Sequence, residues 1–256
     1  MSGKLFTGVG VALVTLFDNA GDLDAPATAA HAARLVELGV KAVVVAGSTG
    51  EAAALSLEER SALLSEVRRQ VPEGKAALIA GTGAPSTRQA VALTQAAIAE
   101  GAEAVLVLSP PGAADPVPYY EEVARAAGEI PVLAYHWPAL SSPGIPVTTL
   151  RDLPVAGCKD SSGDADRLLE TLATWDRPVY CGSSALLAFA GPMGCAGAIL
   201  SLANAQPEAC IASFAGDFDA QLKLAHDHRR TVSDFPRGIK ELTAERFGTS
   251  TATRMG

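Results

Sequence analysis

The chain is short of charge, of aromatic rings and of paired cysteines. Only 19% of its residues are charged and 5% are aromatic. The formal net charge is -8 and no basic tract interrupts the chain, so it has little with which to neutralise a phosphate backbone, and nucleic-acid binding is not expected. The four cysteines are Cys158, Cys181, Cys195 and Cys210, and none forms a C-x-x-C pair. That spacing argues against a zinc site, and no other set of residues suggests a metal. Three of the four lie within or beside apolar stretches, where a free thiol behaves as a small hydrophobe. Reduced thiols in a cytoplasmic protein are the simplest reading. Long apolar runs are also missing. "GVGVALVTLF" is too short to span a bilayer. Only Lys4 precedes it and no small-residue cleavage site follows, so no signal peptide is expected.

What is present suffices for a large core: 256 residues, 48% of them hydrophobic, with no linker or low-complexity segment. Eight short apolar runs recur: 10–17, 40–47, 76–83, 103–110, 130–136, 154–160, 178–184 and 197–204. Each has the length of a strand, and continuous rather than alternating apolarity predicts strands covered on both faces. Amphipathic stretches of helical period lie between them. "DAPATAAHAARLVELG" has an Asp cap and stops at Gly39, and "STRQAVALTQAAIAEG" stops at Gly101. "SLEERSALLSEVRRQV" carries Ser56 and Glu59 at capping-box spacing, and "DADRLLETLATW" is a shorter helix.

Unbroken strand–helix alternation predicts an α/β fold with a parallel sheet, and eight units predict a closed (β/α)8 TIM barrel over 1–205. A doubly wound open sheet is the alternative, although the first βα turn lacks G-x-G-x-x-G. Residues 206–256 read as a short C-terminal helical extension of the same domain unit, starting near Pro207, with a polar end, "GTSTATRMG", expected to fray.

Active sites of such barrels lie at the C-terminal ends of the strands. The strands deliver Thr15, "GSTGE" (Gly47 to Glu51), Gly81 to Gly83, Ser109, Tyr135 and His136, Lys159, Gly182 and Ser183, and Ser201 to Asn204. The set holds one amine and one phenol but no carboxylate pair. Lys159 ends an apolar run, and Val155, Ala156 and Cys158 would disfavour its ammonium form. A neutral amine there can attack a ketone and form an imine. Tyr135 ends the neighbouring strand, so it is either a proton shuttle for that amine or a packing residue. "GSTGE" is either a carboxylate-holding turn of hydroxyls and backbone N–H groups or a βα turn that needs glycine for its backbone angles. Glu51 and Asp160 are expected to support their loops. His31 reads as structural, and His226 and His228 as a solvated helix face.

"GSTGEAAALSLEER", "AYHWP", "GCKDSSGD" and "GCAGAILSLAN" together resemble the dihydrodipicolinate synthase / N-acetylneuraminate lyase family of class I, pyruvate-handling aldolases. The resemblance runs from "ALVTLFDNAGDLD" to about Gly248. It implies a carbon–carbon lyase in which Lys159 forms the Schiff base with pyruvate or another 2-oxo acid, Tyr135 shuttles protons and Ser48 joins the relay. Thr49 would hold the oxo acid's carboxylate and Ile199 would lie near the bound oxo acid. Gly47, Gly182, His136 and Leu140 complete the expected substrate-binding set. No metal or organic cofactor is implied, since the covalent imine on Lys159 serves instead. The expected partners are a small 2-oxo acid and an aldehyde, with no nucleic acid and no membrane, in a homo-oligomer, tetramer or dimer.

The chain departs from the synthase pattern in its acceptor half. Pro111 and Gly112 replace a tyrosine pair, one member of which reaches a neighbouring subunit's relay, and Tyr119 and Tyr120 come later, at a helix start. Leu140 stands where an arginine takes the aldehyde substrate's carboxylate, and a leucine cannot pair with that group. Trp137 and Leu140 suggest a more apolar or bulkier second substrate, and His136 either hydrogen-bonds to it or packs. Ser109 or a water is expected to fill the relay gap. The first reading is an aldolase or lyase. The alternatives are 4-hydroxy-tetrahydrodipicolinate synthase proper, placing its acceptor differently, and a non-catalytic 2-oxo acid-binding regulatory homologue.

Overall fold

A computed structural model describes residues 3–255. Seven of the eight apolar runs contain a strand and the first overlaps one that starts two residues earlier: β1 (Gly8–Ala12), β2 (Ala42–Val45), β3 (Ala77–Gly81), β4 (Ala104–Leu108), β5 (Val132–His136), β6 (Gly157–Asp160), β7 (Val179–Cys181) and β8 (Gly197–Leu200). Each pairs in parallel with the next, and β8 closes on β1 with Gly8 opposite Gly197. The sheet is therefore a barrel and not an open doubly wound sheet. The intervening helices are α1 (Ala25–Glu37), α2 (Leu57–Gln70), α3 (Thr87–Ala99), α4 (Val117–Ala127), α5 (Ala165–Thr174) and α6 (Leu187–Ala190). Four more follow β8: α7 (Pro207–Phe214), α8 (Phe218–Lys223), α9 (Ala225–Ser233) and α10 (Arg237–Phe247).

Local chemistry sets the helix ends. The Asp24 carboxylate accepts the Ala27 N–H at 2.9 Å, satisfying one of the orphan donors of α1. The Ser56–Glu59 capping box forms in both directions. Gly39 and Gly101 follow their helices at φ of +102° and +84°, a region that glycine enters without steric cost.

Strand alternation divides the apolar side chains into two layers. Leu78, Val105, Cys158 and Cys181 face the helices, while Val44, Ile79, Leu106, Leu133, Tyr135, Tyr180 and Ile199 fill the barrel. Phe6 and Tyr180 stack inside it at 4.7 Å. A Cβ on Gly197 would fall 3.0 Å from the Phe6 ring and 3.2 Å from the Tyr180 ring, so glycine in β8 makes room for this stack. The polar end does not fray. Residues 249–255 fold back towards the barrel mouth, held by Arg254. Among the described residues no helix is long and apolar enough to cross a membrane, and all four cysteines are free and buried.

Candidate active site

Residues at the same parity on neighbouring strands meet inside a barrel. The register pairs Tyr135 with Lys159 and Lys159 with Tyr180, and the Lys159 Nζ lies 4.3 Å from the centroid of the Tyr135 ring. Lys159 is 5% exposed and forms no ion pair with a carboxylate among the described residues. Burial holds its ammonium down at about 7, because a dry surrounding penalises the charged form. Cys158 and Val155 do not supply that surrounding, since both face the outer layer. The apolar interior around Tyr135 does. The Tyr135 phenol is itself pushed up to about 12 by burial, offset in part by the hydroxyls of Ser161 and Ser48. A phenol that keeps its proton with two hydroxyls nearby is suited to handing protons on.

The "GSTGE" turn follows β2. Two non-glycine residues, Ala46 and Glu51, bracket it at φ of 51° and 53°, sparsely populated backbone that persists only where its surroundings enforce it. Gly50 packs so closely against the segment that follows β1 that a Cβ would meet the Leu13 carbonyl at 2.9 Å and the Thr15 hydroxyl at 3.0 Å. Thr15 Oγ1 donates to the Gly50 carbonyl at 2.7 Å. The Ser48, Thr49 and Gly50 N–H groups have no acceptor among the described residues, which leaves them free for an anion. Glu51 supports the turn, with its buried carboxylate paired to the Lys240 ammonium.

A cavity of about 860 Å³ opens above Tyr135. Gly47, Ser48, Ser109 and Tyr135 are among the residues that line it. The rest is largely apolar and includes Leu55, Leu57, Leu93, Leu108, Leu140, Phe235 and Met255. The lining guanidinium, Arg60, donates to the Gly81 carbonyl at 3.1 Å and the Ala52 carbonyl at 2.5 Å. Ser109 Oγ is buried without a partner.

Other expected residues stand apart. His136 is corrected: alternation turns it away from Tyr135, its Nδ1 accepts the Ile145 N–H at 2.9 Å, and Gly144 packs on its ring. It therefore packs beneath the 138–145 loop and does not line the cavity. Trp137 backs the cavity, stacked on Tyr135 and edge-on to Phe235. Ile199 is fully buried on the inner face of β8. Gly182 lets another residue in, because a Cβ there would collide with the Ser161 hydroxyl. Asp160 holds its loop, accepting from Ser162 N–H at 2.8 Å and Arg167 Nε at 2.8 Å. Tyr119 and Tyr120 spend their hydroxyls on the Ala84 and Val107 carbonyls. His31 is buried edge-on to Phe247. His228 is not on a solvated face: it is half-buried, with its Nδ1 2.8 Å from Ser184 Oγ.

Sequence reasoning missed Ser161, Phe235, Lys240 and Met255. Ser161 directly follows β6, so its proximity to Tyr135 was open to inference from register. The other three arrive from distant chain and carried no local signal.

Residues 5–245 match the Dihydrodipicolinate synthetase family. The chain is 35% identical over 243 residues to a DapA-like lyase of Halobacterium salinarum, covering 91% of this chain and 79% of the relative. It is 35% identical over 227 residues to the 4-hydroxy-tetrahydrodipicolinate synthase of Pseudomonas aeruginosa, covering 83% and 77%. Among solved structures it resembles YagE, a protein of the dihydrodipicolinic acid synthase family from Escherichia coli K12 in complex with pyruvate. That match has a TM-score of 0.87 at 26% identity and covers 97% of this chain and 91% of that one. A buried amine set against a phenol in the mouth of such a barrel agrees with these likenesses: the chain belongs to the dihydrodipicolinate synthetase family and is a carbon–carbon lyase of the class I, pyruvate-aldolase type.

Proposed function

We propose that Lys159 forms an imine with pyruvate or a closely related 2-oxo acid and couples it, reversibly, to an apolar or bulky aldehyde. One observation carries this reading: a buried lysine amine, with no carboxylate partner among the described residues, lies against the Tyr135 ring beneath a largely apolar cavity. The neutral amine adds to the ketone carbon. Tyr135, in contact with Ser48 and Ser161, protonates the departing oxygen, and water leaves. Loss of a C3 proton to the same relay gives an enamine, whose carbon bonds to the aldehyde carbon. The new alkoxide takes the proton back, and hydrolysis frees the product and Lys159. The oxo acid's carboxylate is met by the Ser48–Gly50 N–H groups and the Thr49 hydroxyl. No metal or organic cofactor takes part in this scheme.

The aldehyde's character follows from Leu140, Phe235 and Met255 on the cavity wall. A second reading, the 4-hydroxy-tetrahydrodipicolinate synthase reaction with a displaced acceptor, rests on Arg60, the guanidinium at that wall. A panel of apolar and carboxylate-bearing aldehydes separates the two. Turnover with either separates both from a non-catalytic binder. We further infer a cytoplasmic homo-oligomer, tetramer or dimer, consistent with the free thiols and with the exposed Phe218 and Leu222 on α8. Light scattering reads the assembly.

The central test is borohydride reduction with pyruvate present, followed by intact-mass and peptide analysis. The expected adduct sits on Lys159 and is absent from Lys159→Ala. No adduct with any 2-oxo acid would sink the imine mechanism.

A further inference from the structure

We propose that residues 249–255 form a strap that is a working part of the active site: it holds the oxo-acid turn in shape through Glu51 and roofs the aldehyde side of the cavity with Met255. This rests on the reading of "GSTGE" as the carboxylate-binding turn.

Glu51 sits in left-handed backbone at the end of that turn. A non-glycine residue stays there only when tertiary contacts hold it. Its carboxylate is fully buried, and a buried charge needs partners for every oxygen. One oxygen pairs with Lys240 of α10. The other accepts the N–H groups of Arg254 at 2.7 Å and Met255 at 2.8 Å. The strap therefore supplies two of the donors that make this burial tolerable.

The strap is itself fastened at several points. Lys240 Nζ donates to the Ala252 carbonyl at 2.6 Å. Arg254 grips both oxygens of Glu59 at 2.9 and 2.7 Å and donates through Nε to the Gly21 carbonyl at 2.7 Å. Glu59 is also the capping-box residue of α2. Turn, helix start and strap thus form one hydrogen-bonded unit. Without the strap, Glu51 Oε2 loses both backbone donors and the strained turn is free to relax, which moves the unpaired Ser48–Gly50 N–H groups. Arg254, Lys240 and Glu51 are positioning residues that act through the turn, whereas Met255 lines the cavity directly.

The experiment compares the full chain with a variant stopped after Gly248 and with Arg254→Ala, Arg254→Lys and Met255→Ala. It reads the pyruvate concentration that half-saturates borohydride trapping, together with kcat, both KM values and the melting temperature. The stopped chain and Arg254→Ala are expected to raise half-saturating pyruvate about tenfold, with a smaller change in kcat, as displaced positioning groups do. Arg254→Lys should recover part of the loss. Met255→Ala should move the aldehyde KM more than that of pyruvate. Should the stopped chain fail to fold, the point variants decide. A folded stopped chain or Arg254→Ala that traps pyruvate at the full chain's concentration would overturn the strap. If the full chain itself traps no 2-oxo acid, the reading of the turn fails and the strap's role falls with it.

Discussion

Two lysines are buried in this molecule, and each places its Nζ 4.3 Å from an aromatic centroid: Lys159 over Tyr135 and Lys240 over Phe17. Burial pushes both below the ordinary lysine value. They differ in what stands opposite. Lys240 faces Glu51, which opposes the shift and favours the cation. Lys159 has no carboxylate facing it among the described residues, and it falls to about 7. Placement in the dry interior is common to both. The partner decides whether the amine is free to lose its proton near neutrality or is held as a fixed charge.

The sharpest contrast comes from replacing each with an apolar isostere. Lys159→Met should lower turnover on the order of 10⁴-fold, as expected when a nucleophile is removed. The same change should stabilise the fold. Charging Lys159 costs more in the folded than in the unfolded state, so the wild type binds fewer protons when folded between pH 7 and 10.5. Its penalty is complete below pH 7 and fades as pH rises to 10.5. Melting curves should therefore show Lys159→Met gaining most near pH 6 and almost nothing near pH 10.5. An unchanged gain across that range would remove the claim of a depressed amine. Rates of imine formation by the wild type should likewise climb through pH 7 as the neutral amine appears.

Lys240→Met should act with the opposite sign. It strands a buried carboxylate, a loss of about 3–5 kcal/mol read by denaturant titration. If Lys240→Met is neutral, the two sites are less different than their partners imply. Tyr135→Phe keeps the ring beside Lys159 but deletes the relay proton, and should slow imine formation roughly 10²-fold in single-turnover trapping. The smallest effect is expected for Ser109→Ala. Ser109 lines the cavity and its buried hydroxyl has no partner among the described residues, and its loss should slow turnover by less than about tenfold. An unchanged rate excludes it from the relay.

The barrel was legible because buried parallel strands leave continuous apolar runs and because caps such as Ser56 with Glu59 leave local signatures. Lys159 and Tyr135 were legible for a related reason: register places adjacent strand ends side by side. Parity was harder to read. His136 neighbours Tyr135 in sequence but faces the opposite way, and Cys158 stands in the same relation to Lys159. The strap was not legible at all. "GTSTATRMG" has a polar composition, and its order comes from Glu51 and Glu59, some two hundred residues away. A backbone N–H finding a buried carboxylate at that separation leaves no periodic trace.

That separation also bears on how the chain matures during synthesis. Glu51 receives its backbone donors across 203 and 204 positions. A nascent chain can complete β2 and its turn early, but the turn's carboxylate stays half-satisfied until residue 255 has left the ribosome. Contacts of such range close late. Lys159 is thus translated almost a hundred residues before the donors that complete the Glu51 site, so the turn after β2 becomes rigid only once residues 254 and 255 have been added.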